Sequence, residues 1–230
     1  MMFKVTLAAA ATIAALASAG AHAQEDRWSG VYVGAHGAWA DGKVKDVSNP
    51  QASTQDIDGW QGGVQVGFNK QSGNFLFGVE GDATFGKSEK KWLDRETGGS
   101  QFSSYYGADS IRTSGTVRAR AGIAGEKALV YLTGGLAIAD TRHGFGCKGS
   151  LQPEAIGRCR GDGSRDFYTS EKKTRFGYVV GGGVELAVTE NVSIKGEYNY
   201  LDYGKANVSL TDPIDRPNTG NPAQPYVPIT

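Results

Sequence analysis

Long apolar runs are almost missing from this 230-residue chain. One stretch, Val5 to Ala17, is predominantly apolar, and it is shorter than the roughly 20 residues a membrane-spanning helix needs. A helical membrane protein is thereby excluded. Methionine occurs only at positions 1 and 2, histidine three times and cysteine twice, which leaves little material for a metal centre. No excess of either charge exists: 24 basic residues meet 24 acidic ones, which gives no case for binding nucleic acid. Glycine is the opposite case, with 34 residues, roughly twice its usual share.

The first twenty-three residues have the layout of an export signal. Lys4 supplies a positive start, Val5 to Ala17 an apolar centre, and Ala21-His22-Ala23 a small-residue cleavage site followed by Glu25, Asp26 and Arg27. Cleavage is expected between Ala23 and Gln24, so residues 1–23 are a signal peptide and 24–230 the folded domain. Its strands are expected over about 31–201, with a C-terminal loop over 204–230.

The remaining chain alternates. Seven runs place apolar and polar residues on opposite parities, the period of strands with two different environments. They are Val31–Trp39, Trp60–Asn69, Phe75–Phe85, Ile111–Ile123, Leu129–Ala139 and the two arms of the hairpin Thr174–Gly204. Each is about ten residues, enough for a tilted strand to cross the hydrocarbon. Connections alternate too: 70–74, 125–128 and 189–191 are short, whereas 41–59, 86–110 and 140–173 are long and polar. Outer-membrane barrels have short periplasmic turns and long outer loops. Charges at mid-strand, with tyrosine and tryptophan at the ends of the apolar face, favour lipid outside and a polar lumen within. A soluble up-and-down barrel has the reverse sidedness. The reading is an all-β, antiparallel up-and-down transmembrane barrel.

Gly181-Gly182-Gly183-Val184-Glu185, followed ten residues on by Lys195-Gly196-Glu197-Tyr198-Asn199-Tyr200-Leu201-Asp202-Tyr203-Gly204, resembles the closing half of a known family. These are the small porin-like outer-membrane barrels of alphaproteobacteria, the outer-membrane immunogenic proteins, relatives of the OmpA-like membrane domain. Trp28-Ser29-Gly30-Val31-Tyr32-Val33-Gly34 resembles the family's first strand, and Gly78-Val79-Glu80-Gly81-Asp82 its third. The resemblance implies eight strands, location in the cell outer membrane, surface-exposed loops and a part in envelope integrity. It also implies insertion by the barrel-assembly machinery. Relatives described as porins, or similar to haem-binding or adhesive surface proteins, supply the alternatives. The family's eighth strand, with its C-terminal aromatic, has no counterpart here. Prolines 213, 217, 222, 225 and 228 are incompatible with a ladder-forming strand, so seven strands are expected, with the last missing and residues 212–230 irregular.

The expected lumenal charges balance, four acids (Glu80, Asp82, Glu185, Glu197) against four bases (Arg112, Arg118, Arg120, Lys195). An eight-strand interior is just wide enough for side chains to fill, which favours a salt-bridged plug over a narrow pore. Cofactor and catalytic residues are not legible: no Ser/His/Asp spacing suggests a triad, and no enzyme is expected. Gly144 to Gly149 fits G-x-G-x-x-G but lacks the strand–helix setting of a nucleotide site. His143 is the residue a haem reading would use. Lys87, Lys90, Lys91, Lys172 and Lys173 flank the runs where headgroup phosphates lie, so outer-membrane lipid and lipopolysaccharide are the expected partners.

Cys147 and Cys159 fall in one long polar segment of an exported chain and read as a disulfide, worth about 3 kcal/mol of loop restriction. Alkylation of the exported protein without reductant is expected to label neither thiol. Labelling of both would remove the bridge.

Overall fold

The computed structural model describes residues 2–14, 27–45, 55–93, 105–151 and 166–205. Eight strands carry nearly all of them: β1 (Met2–Ala14), β2 (Gly30–Lys45), β3 (Gln55–Ser72), β4 (Phe75–Leu93), β5 (Tyr105–Ala124), β6 (Ala128–Cys147), β7 (Phe167–Ala187) and β8 (Ser193–Lys205). A 3-10 turn, Gly149–Leu151, follows β6. Each strand pairs antiparallel with its chain neighbours, and β1 pairs with β8 to close the barrel. Strands β2 to β8 are the seven alternating runs. Their short connections are tight: Gly73 takes a φ of 57°, the left-handed conformation that lets Ser72 turn into Phe75.

The apolar parity faces outward. Val117, Leu132 and Phe176 are 67%, 73% and 76% exposed, and Val66, Val180 and Ile194 are exposed beside them. Such an area of bare hydrocarbon is stable only against lipid. Trp39 and Trp60, register partners on β2 and β3, meet edge to face at 5.2 Å near the upper margin of this band. Phe75 and Phe77 are exposed at its lower margin, so aromatics stand at both interfaces.

The strands are longer than ten residues, reaching 20 in β5 and β6 and 21 in β7. Segments 41–45, 86–93, 105–110, 140–147 and 167–173, expected as loops, continue the ladders above the lipid band. Lipid no longer touches the outer face there, so the outward apolar parity that marks a strand in lipid is lost, while the inner face stays buried and the ladder bonds persist.

Two bulges sit side by side at the upper edge of the band, between Phe85 and Ser88 on β4 and between Ile111 and Thr113 on β5. An extra residue re-phases a strand. Below the bulge the even-numbered Arg118 and Arg120 point in. Above it the odd-numbered Ile111 and Asp109 do so. Arg112 stands in the bulge itself and is exposed, so the expectation that it faces the lumen is corrected.

Closure also differs from expectation. Strands β2 and β8 do not pair with each other; Met2–Ala14, expected to be the apolar part of a signal peptide, lies between them. Unpaired backbone in hydrocarbon costs several kcal/mol per group, so both edges require an antiparallel partner. The fit is incomplete. β1 joins β2 over five register pairs, Met2↔Lys45 to Thr6↔Asp41, and its ladder with β8 shifts register twice. The cleavage position, Ala23 to Gln24, and the C-terminal loop beyond Lys205 lie outside the described residues.

Val117 faces outward at mid-band, opposite Gly81 and Leu136. Val117→Arg is expected to lower the unfolding free energy in lipid by about 2–4 kcal/mol, whereas Val117→Leu is not. Reversible denaturation in bilayers measures both, and an unchanged value for the arginine variant would reverse the assignment of faces.

Candidate functional site

The lumen is filled in layers. At the periplasmic end Trp28, Leu76, Ala124 and Leu129 form an apolar cluster with the ring of Tyr131. Trp28 enters it because the chain turns across the barrel mouth before β2. Its backbone N–H is accepted by the Gln71 side chain at 3.2 Å, and its indole N–H by the Gly125 carbonyl at 3.0 Å. Ser29 adds an acceptor for the Gln71 N–H at 2.9 Å. The sequence showed the Trp28 motif, but not that its side chain caps the lumen.

Above this cap lies an ionic layer centred on Glu80, which is 1% exposed. Arg118 donates to Glu80 Oε1. Lys195 Nζ lies 2.9 Å from Oε2 and 3.2 Å from Oε1. Tyr32 donates its hydroxyl hydrogen to Oε2 at 2.7 Å and accepts from Arg120 at 2.6 Å. Arg120 also reaches Glu185 at 2.9 Å, whose other oxygen accepts from Ser193 at 2.5 Å. Arg118 turns its other nitrogen to Glu197 at 2.5 Å, and Tyr131 donates to Glu197 at 2.6 Å. The guanidinium of Arg120 lies 3.9 Å from the Tyr131 ring centre and 5.5 Å from that of Tyr32. Small residues make room: a Cβ on Gly183 would fall 2.8 Å from the Tyr131 hydroxyl.

Seven of the eight lumenal charges inferred from sequence are thus brought together, and Arg112 is not. In this layer, among the described residues, four carboxylates face three cations. Asp82 is the partly exposed acid. It lies 3.6 Å from Arg118, and its carboxylate accepts from the hydroxyls of Thr116 and Thr84. It borders a cavity of about 60 Å³ that His36, Gln61, Gln65 and Asn199 also line. That volume holds a few waters, so the acid left without its own cation is the one water can reach.

A second buried apolar cluster, on the β5–β8 side, narrows the lumen above the cavity: Ile111, Ala137, Ala139, Val179, Leu201 and Tyr203. Still higher, inside the ribbons above the membrane, His143 is 2% exposed and its Nδ1 lies 2.8 Å from Asp109. Cys147 is one half of a disulfide, and Cys159 lies outside the described residues. Lys173 lies 3.4 Å from Glu171 and shares the inward parity of Arg175, whereas Lys172 points outward. Lys91 is exposed and lies 3.4 Å from Glu89; the side chains of Lys87 and Lys90 lie outside the description.

The sequence profile of the outer membrane protein beta-barrel domain matches residues 7–221. This chain belongs to that family. The 31 kDa outer-membrane immunogenic protein of Brucella melitensis is 31% identical over 225 residues, covering 92% of this chain and 87% of that protein. The 22 kDa outer membrane protein of Rhizobium leguminosarum is 31% identical, with 80% of this chain and 68% of that protein covered. Family membership places the barrel in the cell outer membrane, in contact with membrane lipid. Among solved structures, Ail, the attachment invasion locus protein of Yersinia pestis, in complex with the heparin analogue sucrose octasulfate, aligns at 10% identity. The alignment covers 88% of this chain and 99% of that one, with a TM-score of 0.33.

Tyr32, Tyr131, Ser193 and Asn199 complete the family member's ionic layer and were missed as site residues. A signal existed for Tyr32, which shares the parity of Gly34 and His36. Glu80→Ala leaves Arg118, Arg120 and Lys195 buried around a void, and breaking such a cluster costs about 3–5 kcal/mol. A correspondingly lower denaturation temperature in detergent is expected; an unchanged one would show that the cluster is hydrated.

Proposed function

We propose that this protein is a structural barrel of the outer membrane with a sealed lumen, contributing to envelope integrity and presenting its long loops at the surface. One observation carries the reading. Buried side chains crowd the lumen at three levels, in the Trp28–Leu76–Leu129 cap, the Glu80-centred ionic layer and the Ile111–Val179–Leu201 cluster, which supports a seal. A solute file would need all three to part. The ionic layer resists because each cation that left its acids would strand a charge in low dielectric.

A catalytic role finds no support in the groups gathered here, whose acids and bases are consumed by one another. Haem ligation at His143 is disfavoured by enclosure of the ring against Asp109. For partners, the reading includes the barrel-assembly machinery during insertion and lipopolysaccharide in the outer leaflet. No nucleic acid is involved.

The purified protein in planar bilayers is expected to show no stable conductance. A Glu80→Gln/Arg118→Gln variant tests the seal, because the two apolar layers should keep it closed. Steady openings of the unmodified protein that persist in that variant would replace this reading with a narrow porin.

A further inference from the structure

The outward parity at the upper ends of β5, β6 and β7 carries chemistry used neither by the lipid band nor by the lumen. Ile138 on β6 and Phe176 on β7, register partners, are the last apolar residues of the band there. One row up, Thr174 donates its hydroxyl to Asp140 at 2.8 Å. In the next row Arg142 stands directly opposite Lys172. Two cations facing each other on one side of a sheet repel. Neither forms an ion pair among the described residues, and the buried Nε of Arg142 has no hydrogen-bond partner. An anion between them would remove both costs.

Two rows farther out, Tyr106 of β5 and Tyr168 of β7 flank Gly146 of β6 in register. Their rings stack at 6.0 Å with planes 10° apart. The glycines of β6 permit it, since a Cβ on Gly146 would lie 2.7 Å from the Tyr106 ring. Tyr168 remains half exposed. Four residues of strand separate this platform from the cation row, about 13 Å, the reach of a short oligosaccharide.

From the membrane outward the rows are apolar, then Asp140 engaged by Thr174, then cationic, then flat aromatic. A phosphorylated glycolipid has the same order: acyl chain, phosphate, sugar. We propose that the outer face of β5–β7 binds such a glycolipid of the outer leaflet, its phosphate held by Arg142 and Lys172 and a sugar face laid on Tyr168. A free phosphate would use the cations and ignore the tyrosines. The site makes the general lipopolysaccharide contact specific, and it depends on this end of the barrel facing outward. Labelling of Lys172 on intact cells reports that orientation separately from binding, and conductance reports separately on the seal.

The test is surface plasmon resonance of the immobilised full-length barrel in detergent. The analytes are lipopolysaccharide, its dephosphorylated form, lipid A lacking core sugars, and inorganic phosphate. Arg142→Gln/Lys172→Gln is expected to weaken lipopolysaccharide binding about tenfold or more, the loss of a charge-assisted contact. Dephosphorylating the analyte should have the same effect on the unmodified protein. Tyr106→Leu/Tyr168→Leu should weaken binding of lipopolysaccharide and leave that of lipid A unchanged. Should the charge variant fail to fold, Lys172→Gln alone, an exposed change, is expected to give a partial loss. Undiminished lipopolysaccharide binding by the folded charge variant, or by Lys172→Gln, overturns the proposal. So does inorganic phosphate binding as tightly as lipopolysaccharide. A tyrosine variant that binds lipopolysaccharide normally overturns the sugar platform.

Discussion

The Glu80 carboxylate is the point on which this interior turns. Three cations converge on it, from two strands: Arg118 and Arg120 on β5 and Lys195 on β8. Strands β4 and β5 are neighbours, but β8 stands on the far wall, so the Glu80–Lys195 contact crosses the lumen. Each side chain there would be intolerable alone at this depth of burial. Together they brace an interior whose width eight strands already set, because their reach across the lumen matches it. Tyr32 and Tyr131 fill the remaining space with rings whose polar tips reach the same acids.

Alternation made the transmembrane half of the fold readable, and the mid-strand charges made its sidedness readable. Glu80, Asp82, Arg118, Arg120, Glu185, Lys195 and Glu197 could be placed inward because a period of two carries direction along an unbroken strand. That logic fails at a bulge. Arg112 is itself the residue at which β5 changes phase, and nothing in its neighbours marks the extra residue. Above the membrane the signal fades, since the outer face there no longer needs apolar residues although the inner face stays buried. The Trp28 cap was hidden for another reason: its partners, Gln71 and Gly125, are distant in the chain and meet only when the barrel closes.

The edges of β2 and β8 both face an antiparallel slot, and Met2–Ala14 occupies it. Its ladder to β2 ends at Thr6↔Asp41. A processed chain beginning at Gln24 would have to fill the same slot by other means. The strand's direction and place in the ring follow from the antiparallel neighbours on either side.

Trp28 and Arg27 have a mechanical meaning as well. Both donate to carbonyls of the β5–β6 turn, at Gly125 and Glu126, while the chain they belong to leads directly into β2. In a ring of eight, β2 and β6 are diametrically opposed. These bonds therefore act as a spoke across the periplasmic mouth, resisting any flattening of its circular section into an ellipse. The β1–β2 seam has the shortest ladder in the wall, five register pairs, all beside Asp41–Lys45 at the outer end of β2. Under lateral pressure the weakest line of the wall is thus the seam between β1 and residues 31–40 of β2, where no register pair joins the two strands among the described residues.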